Sequence, residues 1–300
     1  MAEVQTASGT GETLPTLPAR ATGPRRQLPT SLLLGLALVG LVLATALLTY
    51  LWTPYDPGKL NVRARLAPPG TEGYLLGTDK LGRDMVTQIM VGARNSLYVS
   101  IVATLVALTL GTTLGLFAAA ARPRWQSIIT RAVDIGVAIP GVLVALVIAT
   151  ALEPGNTASI VAIIIWFIPV AARVTIGPAK QILALDFIEA AQAYGRGRAF
   201  IMINHVLPNI SSILIVQASV MFASGILAEA ALSFIGIGAQ PPTASWGRLL
   251  KEAQPLIDVA PTLMIFPGAA IMIAVLGFNL LGDGLRSYFD PRQTVGQASH

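Results

Sequence analysis

Residues 189–209 read EAAQAYGRGRAFIMINHVLPN, a polar, helix-prone stretch between two long apolar runs. It is too polar to cross a bilayer, where backbone and side-chain polar groups find no water. Asp186 stands three residues before Glu189, so Asp-Phe-Ile-Glu predicts a capping box that opens a short helix. Ala190, Ala191 and Ala193 give that helix a face of small residues, which another surface can approach closely. Gly195 and Gly197 then break it, because glycine permits turns and weakens helices. A second short helix over about 199–206 runs up to Leu207-Pro208, where proline constrains the chain. Helix, glycine turn and helix between two spans read as a docking element. On these residues alone, Asp186 and Glu189 read equally well as caps of a solvated loop helix.

The rest of the chain supplies the context. Its 300 residues are 54% hydrophobic and 12% charged, with a mean hydropathy of +0.68. Soluble domains carry about 25% charged residues, so the composition is that of a membrane protein. The net charge of +5 and pI near 9.8 raise nucleic acid as a partner. The basic residues are scattered among loops rather than clustered on one face, which argues against it. With no cysteine in the chain, disulfides and thiolate metal sites are excluded.

Six apolar runs near the length a bilayer requires predict an all-α membrane protein with spans at 31–52, 97–120, 128–152, 158–177, 210–236 and 262–282. A signal peptide is the rival reading of the first, but its apolar core is too long and no cleavage site follows. Residues 1–30 and 286–300 read as tails, the first of them disordered. Residues 53–94 form a polar connection, and 95–285 a five-helix core containing the loop 186–209. With six spans both termini share a side with that loop. Taking Arg131 and Arg173 as flanks, this side holds 12 of the 20 Lys and Arg, which favours cytoplasmic termini and an extracytoplasmic 53–94. Pro140-Gly141, Pro169 and Pro267 interrupt three spans, and Gly111 and Gly115 form a GxxxG pair suited to close packing.

In the 53–94 connection, Asp84 is placed to cap a short helix over 85–91. The string GTDKLGRD at 77–84 offers no clear chemistry, and its aspartates lack calcium-loop spacing. Trp246, Leu249, Leu250 and Ala253 predict a short amphipathic helix at the outer interface. Inside the spans, Arg131 and Asp134 are spaced to pair on one helix face. Glu229, a carboxylate within the fifth span, is a functional-site candidate by its cost alone. It reads as a lining residue of a translocation path or as a hydrogen-bonded group at a subunit interface. No phosphate loop, G-x-S-x-G or H-E-x-x-H appears, so no catalytic, cofactor-binding or metal-binding residues are assigned.

Glu189-Ala190-Ala191, Gly195 and Leu207-Pro208 resemble the EAA loop of ABC-importer permeases. His205 stands where the looser pattern has an apolar residue, but His-x-Leu-Pro-Asn is typical of the peptide-importer branch. GTDKLGRD, the run 229–247 and FNLLGDGLR with the DPR that follows are likewise similar to the C-type permease subunit of dipeptide and oligopeptide importers. The resemblance covers about 31–292. It implies a type I importer fold, with Glu189, Ala190, Ala191, Gly195, His205, Leu207 and Pro208 contacting ATPases. It further implies a homologous permease subunit, two cytoplasmic ATPase subunits or domains holding ATP and Mg, and an extracytoplasmic substrate-binding protein. Cargo would cross the inner or plasma membrane by alternating access. Nickel complexes are an alternative cargo. An ion-coupled secondary transporter is the alternative class, but it usually shows internal repeats and several buried coupling residues. An intramembrane hydrolase would need a nucleophile–base pair, and none is evident.

Overall fold

The computed structural model describes residues 29–289. Most of the 1–30 tail and residues 290–300 of the second tail lie outside the described residues. The helix expected to end before 286 continues to Phe289. Among the described residues the architecture is helical, with isolated bridges at Thr71–Tyr74 and Thr78–Asp84 in place of a sheet.

The first span is α1 (Thr30–Leu48). The second span and the short helix expected before it are one element, α2 (Met85–Ala120), 36 residues long. Nothing between Val91 and Leu97 breaks a helix, since Gly92 is packed against Trp246. At about 1.5 Å per residue α2 is roughly 54 Å long, against a hydrocarbon core of about 30 Å. Its first turns therefore stand outside the core, and the last part of the 53–94 connection is helical from Met85. Asp84 does cap the helix, accepting from Thr87 N at 2.8 Å.

The third apolar run is broken. α3 (Pro123–Ala138) and α4 (Gly141–Ala151) meet at 89°. Pro140 lacks the amide a continuing helix needs and forces its predecessor out of helical conformation; Ile139 is extended at φ −77°, ψ 124°. Five helices are thus long and apolar enough to cross a membrane, with the bent pair making a sixth if its halves cross as one. Pro169 and Pro267 break nothing: α5 (Asn156–Leu183) and, at the end of the chain, a helix over Thr262–Phe289 run through them. Between these lie α6 (Asp186–Ala193), α7 (Arg198–Ile201), α8 (Leu207–Ile235) and α9 (Trp246–Ala253), so the last is α10 (Thr262–Phe289).

Small residues set the packing. A Cβ on Gly111 would stand 2.6 Å from Ile168 O, and one on Gly115 2.6 Å from Thr175 Cβ, so the GxxxG pair seats α2 on α5 within the chain. Gly277 and Gly284 likewise let α10 lie against Val39 and Leu32 of α1. Phe222 of α8 stacks near Phe278 of α10, ring centres 5.6 Å apart. Two ends result: α6 and α7 at one, the 49–84 connection and α9 at the other.

Candidate functional site

The α6–α7 element has a fixed base and an open face. The capping box does not form: Leu185 is the N-cap, without a side-chain bond. Asp186 and Glu189 instead fall inside the first turn, where negative charge still favours the helix dipole. The far end closes as a Schellman motif, with Arg196 N donating to Ala191 O at 3.1 Å and Gly195 N to Gln192 O at 2.9 Å. Gly195 takes φ +75°, the left-handed conformation this motif requires, with open space where a Cβ would be. Ile188, Ile201, Val206 and Ile210 are buried together with Ala119 of α2 and Ala179 of α5. That cluster is what holds the element to the bundle.

The second short helix is not separate. After α7 the chain widens into a π turn over Met202–Val206, where Leu207 N reaches Met202 O, and passes directly into α8. Pro208 occupies the first turn of α8, where a missing amide costs little. The loop is thereby rigidly joined to a span. His205 sits between Phe187 and Phe200, ring centres at 6.1 and 5.7 Å, and Arg196 lies 4.7 Å over Phe200. Of the residues expected to act here, Glu189, Ala190, Gly195 and Pro208 are exposed, while Ala191, His205 and Leu207 are half-buried. Tyr194, which sequence reasoning passed over, is 88% exposed on this face. A cleft of about 450 Å³, lined by Gln192, Arg196, Arg198 and Met202, opens between the element and the end of α2.

At the opposite end GTDKLGRD proves to be a folded clasp. Thr78, Asp79, Arg83 and Asp84 are buried. Asp79 Oδ1 accepts from Leu81 N at 2.8 Å and Arg83 N at 2.9 Å, and Arg83 Nε pairs with Asp79 Oδ2 at 2.6 Å. Arg83 and Arg248 both reach Glu252 of α9, at 3.1 and 2.5 Å. Gly82, at φ +73°, lies against Asn61 O, where no side chain fits. Trp246, buried, donates from Nε1 to Ile89 O at 3.1 Å, and its backbone amide donates to Ser96 Oγ at 3.2 Å. The amphipathic helix is thus pinned to α2.

Glu229 is enclosed by its own chain, 1% exposed. Oε1 accepts from Ser233 Oγ at 2.7 Å, and Ser233 Oγ in turn accepts from Ala239 N at 3.0 Å. Oε2 is buried without a hydrogen bond, beside the hydroxyls of Ser96 and Ser245. The carboxylate therefore sits where α8, α2 and the entry to α9 meet. Asp134 pairs with Arg173 of α5, rather than with Arg131 as its spacing suggested. The partner on another helix is closer than the one on its own. Further along α5, Gly141 faces Trp166. There α4, α5 and α8 enclose an apolar cleft of about 330 Å³, which Glu229 does not line.

Residues 111–295 match the family described as binding-protein-dependent transport system inner membrane component. The chain is 40% identical over 263 residues to the dipeptide transport system permease protein DppC of Alkalihalophilus pseudofirmus, covering 86% of each. It is 38% identical over 263 residues to the di/tripeptide transport system permease protein DppC of Pseudomonas aeruginosa, covering 86% of this chain and 87% of the other. Its fold resembles a chain of the inward-facing MetNI methionine ABC transporter, with TM-score 0.57 at 18% identity, over 69% of this chain and 98% of that one.

Proposed function

The chain belongs to the family of binding-protein-dependent transport system inner membrane components, and on that premise we propose that it carries di- and oligopeptides as one permease subunit of an ATP-driven importer. A homologous permease stands beside it in the lipid bilayer. Two cytoplasmic ATPase subunits or domains supply ATP and Mg, and an extracytoplasmic binding protein delivers the cargo. The chain itself hydrolyses nothing; it converts movement of the ATPases into opening of a path to one side of the inner membrane and then the other. The excess of basic residues on the α6–α7 side supports cytoplasmic termini.

The observation that carries this reading is the construction of α6 and α7. A buried apolar base joins the element to α2 and α5, and a π turn joins it to α8, while Glu189, Ala190 and Tyr194 face outward. Force applied to that face passes into three membrane helices. An ion-coupled secondary transporter has no use for such a handle, and the family membership favours the importer.

The test is to co-express the chain with a homologous permease and ATPase subunits of the same cell, purify it through a tag and reconstitute it with the binding protein. ATPases are expected to co-purify, and uptake of a tripeptide is expected to need ATP. Uptake driven by an ion gradient without ATPase subunits would establish the rival class.

A further inference from the structure

Three contacts align along one stripe of α5. Trp166, Pro169 and Arg173 recur at i, i+3 and i+7, which places them on one helix face. Each meets the broken third span: Gly141 lies against Trp166, Gly136 against Pro169, and Asp134 pairs with Arg173. The break at Ile139-Pro140 is what lets α3 and α4 follow this stripe at two different angles.

Two features make the stripe more than a packing seam. The Asp134 and Arg173 side chains are 44% and 58% exposed. Both fall near the inner ends of runs read from the sequence as spans, where a charge faces water or protein rather than lipid tails. α3 buries a single side chain, Val133, so most of its own surface is open among the described residues. In addition, Arg173 has N–H groups beyond those on Asp134, and they meet no acceptor among the described residues. A guanidinium held on one side by a carboxylate and open on the other is suited to a second carboxylate.

We propose that this stripe is a cargo subsite on the water-filled path, in which Arg173 binds the C-terminal carboxylate of a peptide and the cleft at Trp166 takes an apolar side chain. The inference rests on the peptide reading above and specifies which part of the peptide is read. Seven residues of helix separate the two points by about 10 Å. An extended peptide advances about 3.3–3.6 Å per residue, so the spacing suits two or three residues between carboxylate and side chain. Ala145, Ser224 and Ala231 leave the cleft room of about 330 Å³, enough for a bulky apolar side chain. Asp134 is the positioning residue that holds the guanidinium in place.

The experiment uses the full reconstituted complex and two probes, the tripeptide Phe-Ala-Ala and its C-terminal amide. Arg173→Gln is expected to slow uptake of the free acid at least tenfold more than that of the amide. Arg173→Lys should fall between, and Ala231→Phe, which fills the cleft, should slow both probes but spare Ala-Ala-Ala. Equal loss of both probes in Arg173→Gln would reduce the ion pair to a structural tie and overturn the subsite. So would unchanged uptake of both. A single cysteine at Ala231 reports the face independently of cargo, because the chain has none of its own. Labelling by a charged, water-soluble thiol reagent is expected, and no labelling in any nucleotide state places the cleft against lipid. A wild-type complex that carries neither probe refutes the peptide reading itself, an outcome distinct from selective failure of the variants.

Discussion

Arg83 Nη2 donates to Glu252 Oε2 at 3.1 Å, joining the segment before α2 to the helix between α8 and α10. The two residues lie 169 positions apart, and each has a further partner, Asp79 on one side and Arg248 on the other. Four charges of alternating sign thus run from the 49–84 connection into α9.

Removing Glu252 leaves Arg248 without a counter-charge and Arg83 with Asp79 alone, and such losses cost about 3–5 kcal/mol when the pair is buried. Glu252 is 18% exposed at its side chain, so the lower end of that range is expected for Glu252→Ala. Thermal unfolding of the detergent-solubilised complex should show it. Limited proteolysis after Arg63 and Arg65 should accelerate as well. An unchanged melting temperature with an unchanged cleavage rate would mean that the clasp is not what holds the connection down.

The proposed orientation is open to direct labelling. Single cysteines at Thr71 and Arg198 lie at opposite ends of the bundle, the first position half-buried and the second exposed. An impermeant thiol reagent applied to intact cells is expected to modify the first and spare the second. Where an outer membrane is present, spheroplasts take the place of cells. The reverse pattern would invert the topology and place α6 and α7 outside.

The helices are largely legible in the sequence, because apolar run length acts locally, but several of their ends are not: α2 begins at Met85, well before its apolar run, and α10 continues to Phe289. Pro140 was read as an interruption and does break a span. Pro169 was read the same way and does not, because the outcome depends on what neighbours the helix has, and those are tertiary facts. The turn at Gly195 can be inferred from composition, and the residue takes a positive φ there. The expected capping box at Asp186 fails by one residue of helix start, a margin that sequence spacing does not resolve. GTDKLGRD was legible as a signature but not as a mechanism, since its principal partner, Glu252, lies far along the chain. Arg173 was noted only as a flank in the charge count. Its pairing with Asp134 arises from the bend at Pro140, which brings α3 alongside α5.

For Glu229 the enclosure predicts a split between two variants. Glu229→Gln keeps an acceptor for Ser233 and places an amide near the hydroxyls of Ser96 and Ser245. It is expected to assemble and transport close to wild type. Glu229→Ala strips the buried Ser233 hydroxyl of its acceptor and leaves a void, a loss of about 1–3 kcal/mol from the hydrogen bond alone. Melting temperature and complex yield separate the two. Should Glu229→Gln assemble normally yet stop uptake, the carboxylate would have to act on cargo.

The last prediction concerns the turn through which α6 would transmit force. Gly195 holds φ +75° at the end of a Schellman motif, and no atom stands within 4 Å of where its Cβ would lie. Space is therefore available, and the conformation alone is what a side chain must oppose. For Gly195→Ala that cost is about 1–2 kcal/mol, while asparagine tolerates the left-handed region better and should cost less. Gly195→Asp adds a negative charge at the C-terminal end of α6, where the helix dipole disfavours it, beside an exposed face meant for a partner. The expected order of coupling is wild type, then asparagine, alanine and aspartate, read as tripeptide-stimulated ATP hydrolysis in the reconstituted complex. Subunit stoichiometry, measured alongside, tells detachment from uncoupling. Glu189→Ala should lie near the mild end, since Glu189 contributes through the dipole and its own contacts and forms no cap. Wild-type coupling in Gly195→Asp would mean that force passes to the spans by another route.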